Sequence, residues 1–329
     1  MNRQRRGKGG FTIVELLTVM GVIALLIGLL VPALNMVKDY SREIQQKAQF
    51  HSIDVGLEMF KNDFGVYPES DENSYRVPVH PIDPTIYGGA AKLAEAMVGQ
   101  DLLGFHPKSG FTASGMNDLD GVGVGAGAVQ IYDPINGINV PGVYVETGSQ
   151  NIDVRKKYID LEHANAYRID DIYVNWGAFN RFNFLLCDVY AKKRQSGKKT
   201  GMPILYYRAR TAYKFQDYTR NEFGGSDQNP AQNDDIYNYW DNERLLALGD
   251  PEQGTAVLHP LRTGTTLTDL QRFEEMILNK QVQTATRTTS FPDGIKRPYR
   301  AESYILISAG KDGLYGTADD VLNIEKGKE

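Results

Sequence analysis

Side chains able to do chemistry are concentrated in a few places along this chain. Near the C-terminus three carboxylates, Asp312, Asp319 and Asp320, share a segment punctuated by Gly310, Gly313 and Gly316. Hard oxygen donors on a glycine-turned loop suit calcium, which takes about six to eight oxygens, several of them backbone carbonyls. Ser308 and nearby carbonyls are weaker candidate ligands. The spacing is not that of an EF-hand, because the D-x-D-x-D-G run and the distal glutamate are missing. Without an ion the same string reads as a solvated turn with ordinary Asp-Gly chemistry.

The histidines, His51, His80, His106, His163 and His259, are scattered and fall in no metal or triad motif. The acid pairs Asp170-Asp171 and Asp234-Asp235 are sequence neighbours, which alone makes no acid–base constellation. Cys187 is the single cysteine and sits in the apolar run 182–189, where it reads as a small buried hydrophobe. The glycine run at 121–127 lacks a complete G-x-G-x-x-G and has no strand-to-helix context. No cofactor other than calcium and no enzymatic role is expected.

One carboxylate stands apart. Glu15 lies five residues into residues 11–34, FTIVELLTVMGVIALLIGLLVPAL, a stretch otherwise apolar except for Thr12 and Thr18. The stretch is long enough to cross a bilayer as a helix. An ionisable group inside such a span is costly and points to function. Ahead of it Arg3, Arg5, Arg6 and Lys8 give residues 1–10 a charge of +4, which predicts a cytoplasmic N-terminus and an exported C-terminal body. The net charge is −5, so the remainder carries −9. An acidic body argues against nucleic acid as the main partner. An ordinary secretory signal has a shorter apolar core followed by a small-residue site, and no such site follows Leu34. The small residues here, Gly9 and Gly10, precede the run.

The string KGGFTIVELLTVMGVIALLIGLLVPAL resembles the N-terminal signal of type IV prepilins and type II secretion pseudopilins. The resemblance implies cleavage after Gly10 by a prepilin peptidase and N-methylation of Phe11. It matches Glu15 to the glutamate at position five of the mature chain, and Pro32 to a proline in the anchor helix. It implies partners: other pilin or pseudopilin subunits, an inner-membrane assembly platform with a cytoplasmic ATPase, and membrane lipid. Physically, a new amine at Phe11 and the Glu15 carboxylate of a neighbour would cancel two charges that are each costly in an apolar bundle, and so reward one register. Pro32 removes a backbone donor and can kink or locally melt the helix. Gly21 and Gly28 read either as points of close helix approach or as ordinary tolerance of glycine in a membrane.

The elements that must position these groups follow from periodicity. Phe50, Ile53, Leu57, Phe60 and Phe64 recur three and four apart, one helical stripe. Gly65 and Pro68 punctuate its end. From Phe11 to Phe64 such a helix runs about 80 Å, with its upper half predicted to pack against a sheet. Residues 88–103, 239–248 and 267–280 read as helices, and 201–210 and 303–308 as strands. Val143-Tyr144-Val145 and Ile172-Tyr173-Val174 read as strand pieces, and 110–128 and 223–238 as loops. The segment FKNDFGVYPES, the entry GMPILYY and the ending SYILISAGKDGLYGTADD resemble major pseudopilins, whose calcium loop would match Asp312, Asp319 and Asp320.

The expected fold class is α+β. A long N-terminal helix, transmembrane then amphipathic, lies on an antiparallel sheet in pilin-like fashion, with a large irregular insertion. The organisation expected is a leader at 1–10, a transmembrane helix at 11–34, its amphipathic continuation at 35–65, an extracytoplasmic insertion at 66–200 and a C-terminal sheet region at 201–329. The expected role is a structural subunit of a secretion pseudopilus or related filament. The alternative is an extracytoplasmic binding or enzymatic domain on a pilin-type anchor.

Overall fold

The structure is a computed structural model that describes residues 12–72, 86–117, 129–132, 144–145, 154–211, 236–253, 257–263, 266–281 and 297–324. The cleavage junction Gly10-Phe11, His80 and Asp234-Asp235 lie outside the described residues, as do most of the two expected loops. The chain forms two units, residues 1–45 and 46–329.

The first unit is the start of helix α1, Ile13–Phe64. This helix is long and apolar enough to cross a membrane, and the apolar side chains from Ile13 to Leu34 are all exposed. Helical backbone runs unbroken through Pro32. The expected local melting is therefore not seen there, although proline still deprives the Gly28 carbonyl of its usual donor.

The second unit is built on a three-stranded antiparallel sheet. In chain order the small strands are β1 (Met116–Asn117), β2 (Val129–Gln130), β3 (Tyr144–Val145), β4 (Ala166–Arg168), β5 (Phe184–Leu186), β6 (Lys192–Lys193), β7 (Lys199–Thr200), β8 (Leu205–Arg208), β9 (Tyr304–Ser308) and β10 (Val321–Leu322). The helices after α1 are α2 (Gly89–Val98), α3 (Leu161–Ala164), α4 (Ile169–Ile172), α5 (Glu243–Leu246) and α6 (Thr266–Ile277), with a 3₁₀ turn at Tyr239–Asp241. Strand order in the main sheet is β10-β9-β8, with Tyr206 opposite Leu306 and Tyr207 opposite Ile305.

Both faces of this sheet are covered, which is why 303–308 reads as a continuous apolar run rather than an alternation. Side chains of even number, Ile204, Tyr206, Tyr304 and Leu306, join a core with α1 and α2. Those of odd number, Leu205, Tyr207, Ile305 and Ile307, join a second core with α6, Tyr237 and Tyr239. These cores draw on residues from both the 66–200 and the 201–329 segments.

Two expectations change. Ile172-Tyr173-Val174 is not a strand: Ile169–Ile172 is one helical turn, and the Tyr173 N–H donates to the Ile169 carbonyl. Asp170 and Asp171 in its first turn favour that choice, since acids suit a helix start. The segment 239–248 is a 3₁₀ turn followed by a short helix rather than one helix.

Candidate functional site

At the start of α1, Thr12 and Glu15 close a reciprocal ring. The Thr12 N–H and hydroxyl both donate to Glu15 Oε2 at 2.9 Å, and the Glu15 N–H donates to Thr12 Oγ1 at 3.2 Å. This is a capping box, in which two groups satisfy each other's first-turn donors. The acid at a helix N-terminus is also favoured by the helix dipole. Glu15 thus has a local task that the sequence reading did not assign. Gly21 and Gly28 face open space, with no atom near the position a methyl group would take.

Farther along, residues 46–64 of α1 are seated in the second unit. Phe50, Ile53, Leu57 and Phe60 are buried as the stripe required, while Phe64 is 37% exposed and packs on the rings of Phe60 and Phe105. Gly65 ends the helix with φ +78°, its N–H bonded to the Lys61 carbonyl at 2.7 Å. Polar side chains fix the seat. Asp54 Oδ1 accepts from the Tyr304 hydroxyl at 2.7 Å and from Asn323 Nδ2 at 3.1 Å, and Arg300 lies 3.6 Å from its other oxygen. Gln46 Oε1 accepts the Val189 N–H, and Gln49 Nε2 donates to the Cys187 carbonyl at 2.8 Å. Asp63 takes Lys156 at 2.6 Å and the Tyr158 hydroxyl at 2.7 Å, and these hydrogen bonds hold its carboxyl below the usual range.

The acidic loop follows β9. Asp312 and Asp319 come together: the Asp312 N–H donates to Asp319 Oδ2 at 2.9 Å, and the Thr317 hydroxyl donates to Asp319 Oδ1 at 2.6 Å. Burial raises the Asp312 pKa, while the hydrogen bonds of Asp319 lower its own. Asp320 is turned to the loop backbone and accepts from the Gly316 and Thr317 N–H groups. Burial pushes its pKa up to about 7. Ser308 is buried and donates to Asp188 Oδ2 at 2.9 Å. Among the described residues no three His, Cys, Asp or Glu side chains group as metal ligands.

No family model matches this chain, and no curated protein or solved structure does either. Function must therefore be read from the groups themselves. For calcium the fit is divided. Asp312 and Asp319 offer adjacent oxygens whose mutual repulsion a cation would relieve. Asp320 and Ser308 are committed to other partners, and the oxygens of Asp312 and Asp319 also accept hydrogen bonds within the loop, Asp312 Oδ1 from the Leu314 N–H at 2.7 Å.

Two of the remaining candidates, Cys187 and His259, are packing groups. Cys187 is fully buried, as expected of a small hydrophobe. His259 is buried against Tyr315, and burial lowers its pKa to about 4, so it is a neutral packing group near pH 7. Sequence reasoning missed Asp54, Gln46 and Gln49. Gln46 and Asp54 lie four places to either side of the buried Phe50, on its helical face, and Gln49 adjoins it, which was the available signal.

Proposed function

We propose that this protein is a membrane-anchored filament subunit of the type IV pilin and type II secretion pseudopilin kind, made as a precursor, cleaved after Gly10 and N-methylated at Phe11. The observation that carries the reading is the division of labour along α1. Residues 13–34 are exposed and apolar apart from Glu15 and Thr18, and residues 46–64 are locked into a folded body by a stripe and by Asp54, Gln46 and Gln49. The stretch 13–34 is long and apolar enough to cross a membrane, and residues 46–64 belong to a folded body. The alternative, an extracytoplasmic binding or enzymatic domain on a pilin-type anchor, lacks the support a separate middle domain would give it, since the described segments before and after residue 200 share cores. Prepilin peptidase, sibling subunits, an inner-membrane assembly platform and membrane lipid are the partners this role requires, with the body outside the cytoplasm.

Mass spectrometry of the N-terminal peptide from membranes tests the reading. The expected dominant species begins at methylated Phe11. A dominant species that begins at Met1 in cells with an active peptidase would overturn it.

A further inference from the structure

The second unit carries one strongly basic element. Strands β6 and β7 form a hairpin over residues 192–200, and Lys192, Lys193, Arg194, Lys198 and Lys199 give it +5 with no acid between them. Since the chain after residue 10 carries −9, everything outside that hairpin carries −14. The hairpin is an island of one sign in a body of the other.

Its inner face is anchored. Arg194 is buried, and its Nε donates to the Thr200 carbonyl at 3.1 Å. Nη1 of Arg194 lies 3.4 Å from Glu252, and the Gln195 N–H donates to the Pro251 carbonyl at 3.2 Å. Lys192 reaches the Asp312 carbonyl at 2.8 Å and lies 3.6 Å from Glu252. Gly197 makes the turn with φ +84°.

The outer face holds a local conflict. Lys193 pairs directly with Lys199 across the ribbon, both are exposed, and neither has an ion-pair partner among the described residues. Lys198, 67% exposed, stands beside them, 3.9 Å from Asp171. Like charges directly opposite on paired strands are destabilising. A rigid ribbon that carries such a pair is a place where stability has been given up, and such places are where function is sought. Two ammonium groups held side by side form a ready receptor for carboxylates.

We propose that the outer face of this hairpin, Lys193 and Lys199, docks on acidic side chains of a second copy of this chain. The proposal rests on the filament-subunit reading. That reading supplies neighbouring copies at high effective concentration, and each copy brings the complementary charge.

The test is carbodiimide cross-linking of the full chain in neutral detergent, with unlabelled and ¹⁵N-labelled copies mixed. Lys193 or Lys199 should link to an Asp or Glu of the other copy, and the links should fade in about 0.5 M salt. Lys199→Glu places opposite charges across the ribbon, so its melting temperature should hold or rise while the inter-copy hairpin links fall at least about tenfold. The Lys193→Gln/Lys199→Gln double variant has no amine to couple at either position, so its readout is the inter-copy links made by other lysines of the chain, which should also fall. Unchanged links at those other lysines, or at Lys193 in Lys199→Glu, would overturn the proposal. So would inter-copy links that never involve the hairpin, and in that case the subunit reading survives. A wild-type chain with no inter-copy link anywhere would overturn the docking proposal, while the subunit reading stands or falls on the N-terminal mass spectrum. Hairpin-dependent binding to anionic vesicles or to a DNA oligonucleotide, without inter-copy links, would assign the surface to a polyanion instead.

Discussion

Glu15 has two claims on it, and single substitutions separate them. In the capping box it satisfies Thr12 and the first turn of α1. In the filament reading it also neutralises the amine of a neighbour. Loss of a cap costs about 1 kcal/mol. Removing one partner of a pair in apolar surroundings costs about 3–5 kcal/mol, enough to depress assembly by orders of magnitude. Thr12→Ala should therefore fray the helix start and leave filament yield near normal. Glu15→Leu should leave the chain inserted and cleaved, because the anchor becomes more apolar, but filaments should be scarce in sheared-cell preparations. Normal filament yield from Glu15→Leu would reduce the residue to its cap. The box is legible in the sequence as T-x-x-E ahead of an apolar run.

At the scale of elements, what sequence showed was what repeats at short range. The stripe at 50, 53, 57 and 60, the stop at Gly65 and the strand at 304–308 were all readable, because each is set by neighbours within one or two turns. The seat of α1 was not. Asp54 meets partners 250 and 269 residues away, and Gln46 meets one 143 residues away. No local pattern specifies such pairs. Gly56 shows the same limit. A methyl group there would lie 2.8 Å from the Tyr158 carbonyl oxygen and 2.9 Å from Met97 Sδ, so α1 approaches its seat closely at that turn. Elsewhere Gly→Ala in a helix stabilises by about 1 kcal/mol. Here Gly56→Ala should destabilise by about 1–3 kcal/mol, because backbone must give way. Thermal melts of the full chain in detergent measure this, and a higher melting temperature for Gly56→Ala would show that the seat is looser than the distances imply.

For the whole molecule the acidic loop is a tie between distant parts of the second unit. It leaves β9 and returns as β10, the Leu261 N–H donates to the Tyr315 carbonyl at 2.9 Å, and Lys192 of β6 reaches the Asp312 carbonyl. Tyr315 also donates its hydroxyl to the Pro203 carbonyl just before β8. Order in this loop is therefore felt in the sheet and in the basic hairpin together. With Asp312 and Asp319 both ionised the loop stores repulsion, and a bound cation would convert that into attraction. Calcium is the ion whose irregular oxygen shell suits two carboxylates and turn carbonyls, whereas magnesium demands a tighter octahedron. A ligand that binds only the folded chain adds about 2.7 kcal/mol at a hundredfold excess over Kd. The full chain in detergent should then melt a few degrees higher in millimolar calcium than in chelator, with magnesium a poor substitute. Asp319→Ala should abolish the response and also lower the chelated melting point modestly, since the hydrogen bonds from the Asp312 N–H and the Thr317 hydroxyl are lost with the repulsion. Asp320→Asn should keep most of the response, because that carboxylate serves the Gly316 and Thr317 N–H groups. An equal calcium response in wild type and Asp319→Ala would place any ion elsewhere on the molecule.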